Sequence, residues 1–102
     1  MIYKTAYYQV KKDSIERVKK AIQEFTLYVK ENEPDTLLYI AWQKKEDPTC
    51  FMHFFIFKDK HAEQIHSQSE AVKTFGSVYG PALVSDGVDF TDYDMIATNS
   101  PE

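Results

Sequence analysis

Residues Cys50 to Phe57 read Cys-Phe-Met-His-Phe-Phe-Ile-Phe. In an extended strand, successive side chains point to opposite faces, so this run is apolar on both sides at once. One side can be covered by helices of the same chain. A chain of 102 residues supports one domain with one core, which is too little to cover the second side as well. A second copy of the protein is the simplest cover for it.

The rest of the chain supplies the partners of this strand. Ile2 to Val10 has strand composition, with Tyr3, Thr5, Tyr7, Tyr8 and Val10. Asp13 and Glu16 have the spacing of a capping box. They open a helix in which Ile15, Val18, Ile22, Phe25 and Val29 recur at steps of three and four, and Pro34 closes it. Thr36 to Gln43 is a second strand, joined to Cys50–Phe57 as a hairpin through Asp47-Pro48. One side of this hairpin carries Leu38, Ile40, Trp42, Cys50, Met52, Phe54 and Ile56. The other carries Leu37, Tyr39, Ala41, Phe51, His53, Phe55 and Phe57. Asp59 caps a short helix with Ala62, Ile65 and His66 on one face. A further helical stretch runs from Ser69 to Val78 and stops at Gly80-Pro81. Gly87 to Ala97 is the last strand. Residues 1–98 form a single domain and 99–102 a C-terminal tail.

This order, β-α-β-β-α-β, is the split, ferredoxin-like arrangement of the α+β class: a four-stranded antiparallel sheet with its helices on one face. Fully burying one large apolar side chain gains about 1.5–3 kcal/mol, so a whole oily sheet face is not left in water. The expectation is a homodimer packed sheet to sheet. The sequence leaves open which hairpin face meets the helices and which meets the partner.

Composition narrows the function. The net charge is −4 and no Lys/Arg cluster exceeds a pair, which argues against nucleic acid as a partner. No apolar stretch approaches the ~20 residues of a membrane helix, and Met-Ile-Tyr-Lys-Thr lacks a signal-peptide pattern. The lone cysteine, Cys50, forms no intrachain disulfide and reads as a small buried hydrophobe. A soluble, cytoplasmic protein is expected. The aromatic share is high, with seven Tyr, seven Phe and one Trp, more rings than a core of this size needs. The surplus suits a pocket or an interface.

Three segments carry a family resemblance. Glu33-Pro34-Asp35-Thr36-Leu37-Leu38-Tyr39 resembles the "E-P-G-T-L-x-Y" entry to the second strand in the antibiotic biosynthesis monooxygenase family. Glu46-Asp47-Pro48 is similar to its hairpin turn, and the segment from Phe57 to His66 resembles its "Y-x-D-x-x-A-x-x-x-H" signature. The resemblance implies a dimeric α/β barrel built from two ferredoxin-like sheets. It also implies oxygenation of a small phenolic or quinol-like molecule by O₂ without metal or flavin, so no cofactor is expected. A non-enzymatic small-molecule binder or a structural dimer of the same fold is the alternative. Asp35 stands in place of the usual Gly, Phe55 in place of a frequent Glu, and Glu70-Ala71 in place of a frequent Pro-His pair. Gly76 and His66 stand where the haem-degrading branch has its His ligand and a Trp, which argues against haem degradation.

His66 is the leading catalytic candidate. The resemblance singles it out, and it shares a helical face with Ala62 and Ser69 that points at the sheet. A neutral imidazole there takes a proton from an acidic phenol near pH 7. The plainer reading has His66 packed near a helix end, bonded to a carbonyl or paired with Glu63 or Glu70. His53, between Phe51 and Phe55, either bonds a substrate oxygen or is a satisfied core histidine. His61 is solvated, and three scattered histidines do not make a metal site. Trp42, Tyr39, Tyr7, Tyr8, Phe75 and Tyr79 are the candidate substrate-binding walls, since aromatic surfaces suit a flat ligand.

Overall fold

The computed structural model describes residues 1–84 and 87–100. Four strands form one antiparallel sheet: β1 (Ile2–Gln9), β2 (Thr36–Gln43), β3 (Cys50–Phe57) and β4 (Asp89–Tyr93), in the order β2-β3-β1-β4. Helix α1 (Ile15–Asn32) crosses from β1 to β2. Helices α2 (Lys60–Ser67) and α3 (Glu70–Ala82) lie between β3 and β4. This is the ferredoxin-like α+β order.

Register decides the question left open by the hairpin. Ala6 and Ala41 both lie opposite His53, Tyr8 opposite Phe51, and Tyr39 opposite Phe55. These residues share a face with Phe57, and Phe51, His53, Phe55 and Phe57 are all buried. Val18, Ile22, Phe25 and Val29 of α1 and Phe75 and Ala82 of α3 close over this face. Ala62 of α2 packs on Phe55 and Phe57. The opposite face presents Leu38, Ile40, Trp42, Met52, Phe54 and Ile56, with Tyr3, Thr5 and Tyr7 of β1 beside them. Trp42 is 52% exposed there.

Several boundaries differ from the sequence expectation, each for a local reason. A short 3-10 turn at Lys12–Ser14 makes Ser14 the N-cap of α1 in place of Asp13, so Asp13 and Glu16 are out of capping phase and no capping box forms. Ser14 Oγ instead accepts from Arg17 Nη2 at 3.1 Å. The register shifts between Thr36 and Leu38, which turns Leu37 outward, 46% exposed, instead of inward with Tyr39. Ile65 faces solvent, because α2 buries only the Ala62–His66 stripe.

Helix α3 runs through Gly80-Pro81 to Ala82 instead of stopping before them. Proline in the last turn removes one helical N–H bond. The helix end is secured from β1's side: Lys11 N donates to the Ala82 carbonyl at 2.8 Å, and Val10 bridges Leu83. The last strand is shorter than Gly87–Ala97, spanning only Asp89–Tyr93, and every residue in it is exposed. Of the expected tail, residues 101–102 lie outside the described residues.

Among the described residues, no helix is long and apolar enough to cross a membrane.

Candidate active site

Between the sheet and the helices lies a cavity of about 380 Å³. Its walls are Ala6, Tyr8, Tyr39, His53, Phe55 and Phe57 from the sheet, and Phe25, His66, Val72, Phe75 and Tyr79 from the helices. The rings are ordered against each other. Tyr39 stacks on Phe55 at 5.2 Å and 9°, Phe25 stacks on Phe75 at 5.2 Å and 14°, and Phe75 meets Tyr79 at 4.6 Å. Such walls favour a flat aromatic occupant. Two further lining residues, Ser67 and Phe90, are exposed and mark the way in. Lys4 stands beside them. Its Nζ donates to Glu63 Oε2 at 2.6 Å and lies 3.5 Å from Asp92. The bond to Glu63 raises the lysine pKa, and the same bond lowers that of Glu63, so both are charged.

His66 is placed by two caps. Asp59 Oδ1 accepts from Ala62 N at 2.9 Å and starts α2. Ser69 Oγ donates to the His66 carbonyl at 2.9 Å and accepts from Val72 N, joining the end of α2 to the start of α3. The imidazole packs between Phe25 and Phe57. Its Nδ1 meets Glu33 Oε1 at 2.8 Å, and both side chains are buried. Neither Glu63 nor Glu70 is the partner.

Glu33 caps the C-terminus of α1. Its amide donates to the Val29 carbonyl, its own carbonyl accepts from Thr36 N, and its Oε1 also accepts from Thr36 Oγ1 at 2.8 Å. The carboxylate accepts from Nδ1–H, which fixes the tautomer. The other ring nitrogen, Nε2, has no protein partner among the described residues.

His53 sits deeper, 1% exposed, with both nitrogens occupied. Nδ1 meets Tyr39 Oη at 2.6 Å and Nε2 meets Tyr8 Oη at 2.8 Å. Burial lowers its pKa to about 4, so the ring is neutral at ordinary pH. Burial raises the pKa of both phenols, which keeps them protonated.

Of the residues singled out from sequence, the cavity brings together His66, His53, Tyr39 and Phe75, along with Tyr8 and Tyr79. It does not include Trp42 or Tyr7. These two lie on the open face of the sheet, on either side of Met52. Tyr7 and Tyr8 are neighbours in a strand, so only one of them can face the helices. Glu33, Phe25 and Phe57 were not among the sequence candidates. The signal for Glu33 was the Glu33–Tyr39 motif that it opens, whose turn hides a carboxylate aimed across the fold. Among the described residues, no group of three His, Cys, Asp or Glu side chains converges to hold a metal ion.

Comparison with known structures agrees with the fold. A protein from Bacteroides thetaiotaomicron VPI-5482 superposes with a TM-score of 0.89 at 15% identity, covering 99% of this chain and 94% of its own. One from Caulobacter crescentus CB15 gives 0.86 at 20% identity, covering 94% and 90%. One from Nitrosomonas europaea gives 0.84 at 19% identity, covering 95% and 100%. All three were solved as candidate antibiotic biosynthesis monooxygenases. No curated protein matches the chain. The family's sequence profile, described as antibiotic biosynthesis monooxygenase, matches residues 1–77. The chain belongs to the antibiotic biosynthesis monooxygenase family.

Proposed function

We propose that the protein is a monooxygenase that needs no cofactor and oxidises a small phenolic or quinol-like molecule with O₂ in this cavity. The observation that carries this reading is the buried Glu33–His66 pair at the wall of an aromatic chamber. His66 Nε2 is the base. Glu33 orients the ring, and its charge faces the cation that forms when the ring takes a second proton.

The atoms balance for a substrate carbon that bears two hydrogens and is conjugated to a hydroxyaryl ring. His66 takes one proton and leaves a delocalised anion. The anion passes one electron to O₂, and the two radicals join to form a C–O bond, giving a peroxide. The O–O bond breaks as the second hydrogen leaves the carbon, which becomes a carbonyl. The departing hydroxide takes the proton back from His66 and leaves as water. One oxygen atom ends in the product and the other in water. Tyr39, Phe55, Phe25 and Phe75 hold the ring system and limit the water around the anion.

A second copy completes the proposed assembly. It covers the open face carrying Trp42, Phe54 and Tyr7, and these residues act in packing and not in substrate contact.

The test is O₂ uptake with a panel of hydroxylated anthrones and naphthoquinols, corrected for autoxidation. Uptake falls about a hundredfold or more in His66→Gln, which keeps a donor for Glu33 but supplies no base. Unchanged uptake in a folded His66→Gln protein removes His66 as the base. Thermal stabilisation by these compounds with no uptake makes the protein a binder and not an enzyme.

A further inference from the structure

The Tyr8–His53–Tyr39 chain holds one more polar hydrogen than its own bonds use. The neutral imidazole has a single N–H, and each phenol has one O–H, making three hydrogens. Two hydrogen bonds link the three groups. The third hydrogen belongs to whichever phenol accepts from the ring.

An O–H donor sits closer to its acceptor than an N–H donor does. We assign the shorter, 2.6 Å contact to the Tyr39 hydroxyl donating to Nδ1 and the 2.8 Å contact to Nε2–H donating to the Tyr8 oxygen, the pairing in which the O–H donor makes the closer approach. Tyr8 keeps its own hydrogen. The residue is 3% exposed, and among the described residues its hydroxyl contacts no polar protein atom other than His53 Nε2, which in this assignment is the donor. A buried donor without an acceptor is unfavourable. Tyr8 lines the cavity, so an occupant of the cavity is the group positioned to accept.

We propose that Tyr8 is a specificity-determining residue that donates a hydrogen bond to an acceptor oxygen, carbonyl or oxyanion, of the cavity's ligand. The proposal rests on the reading of the cavity as an aromatic-binding site and adds a requirement to it. The ligand presents an acidic hydrogen to His66 and, at another point of the same flat body, an acceptor oxygen to Tyr8. A plain hydrocarbon, or a ring whose only oxygen is spent on His66, fills the walls but leaves the Tyr8 hydroxyl unsatisfied.

The test uses a matched pair of probes, 9-fluorenone and fluorene, which differ in the carbonyl and carry no hydroxyl for His66. Their dissociation constants are measured for the wild type, Tyr8→Phe and Tyr79→Phe, and the fluorenone carbonyl stretch is recorded in each complex. Tyr8→Phe removes one oxygen atom and leaves the ring packing on Phe51 and Tyr79 in place. Its fluorenone-to-fluorene affinity ratio falls about fivefold, the order of one neutral hydrogen bond. Its carbonyl stretch moves to the higher, unbonded frequency, while Tyr79→Phe changes neither.

A ratio in Tyr8→Phe within twofold of wild type overturns the proposal. So does a wild-type carbonyl stretch already at the unbonded value, or a loss confined to Tyr79→Phe. In those cases both probes still bind, and the aromatic-cavity reading stands. Failure of both probes to bind the wild type overturns the proposal and that reading together.

Discussion

His66 and Glu33 are 33 residues apart in the chain and 2.8 Å apart in space, Nδ1 against Oε1, with both side chains buried. The contact joins the end of α1 to the end of α2 over the aromatic face of the sheet. Oε2 of the same carboxylate is buried with no partner among the described residues. A carboxylate held this way, by a threonine hydroxyl and an imidazole, is placed to orient the base proposed at His66.

Glu33→Gln separates the two roles. Glutamine fills the same volume and can keep the Thr36 bond through its carbonyl, but it brings no charge to His66. Quinol-dependent O₂ uptake is expected to fall at least about tenfold in kcat with little change in KM. Thermal unfolding monitored alongside shifts by only a few degrees. An unchanged kcat makes the pair a packing feature and leaves His66 unassisted.

Acid sensitivity follows from His53. Its folded pKa, about 4, lies below the ordinary 6.5 because burial disfavours the charged ring. The unfolded chain therefore binds a proton that the folded one refuses. The sign is fixed: the contribution to stability is present in full above about pH 6.5 and is lost as pH falls from there towards about 4. Urea unfolding at several pH values should show it. His53→Leu is less stable than wild type at pH 7, but between pH 6.5 and 4.5 its stability declines less steeply, by at most ~1.4 kcal/mol per pH unit. Parallel pH profiles for the two proteins mean that His53 is not the group responsible.

How much of this was visible in the sequence depends on the range of the interaction. The bounds of β2 and β3, the apolar stripe of α1 and the Asp59 cap are set by alternation, periodicity and a hydrogen bond three residues long. All were legible. The Asp13–Glu16 pair has the right spacing but not the right frame, because a 3-10 turn displaces the helix start by one residue. The assignment of Trp42 and Tyr7 to the pocket required knowing which face the helices take. That choice is made by tertiary packing, since both faces of β3 are apolar. The partner of His66 was sought at Glu63 and Glu70 because helical spacing suggests neighbours within a turn. The true partner comes from another helix, and no local pattern announces it.

The two cap positions give a contrast that checks this point. Asp59→Ala removes an observed side-chain cap on the helix that carries His66. It should cost about 1 kcal/mol, or roughly 4–8 °C in Tm for a domain of this size. Asp13→Ala removes only a 3.5 Å contact with Ser14 Oγ and should stay within about 0.5 kcal/mol. Circular dichroism melts of the two variants decide it. Equal losses, or a larger loss at Asp13, mean that the capping box forms after all.

The open sheet face makes the strongest demand on assembly. Phe54 lies at its centre, opposite Thr5 on one side and Ile40 on the other, with Trp42 and Met52 paired next to it. Phe51, on the other face of the same strand, is 2% exposed beneath the helices. A charge at each position therefore separates folding from association. Phe51→Asp places an unpaired carboxylate in the core and should abolish folding. Phe54→Asp faces outward in a single copy and should leave the far-ultraviolet dichroism intact while blocking sheet-to-sheet contact. Light scattering is then expected to give twice the chain mass for wild type and the chain mass for Phe54→Asp, with Trp42 emission shifting to the red as its ring meets water. A wild-type protein that scatters as a single chain at micromolar concentration refutes the proposed dimer, and the exposed tryptophan face must then serve something other than a second copy.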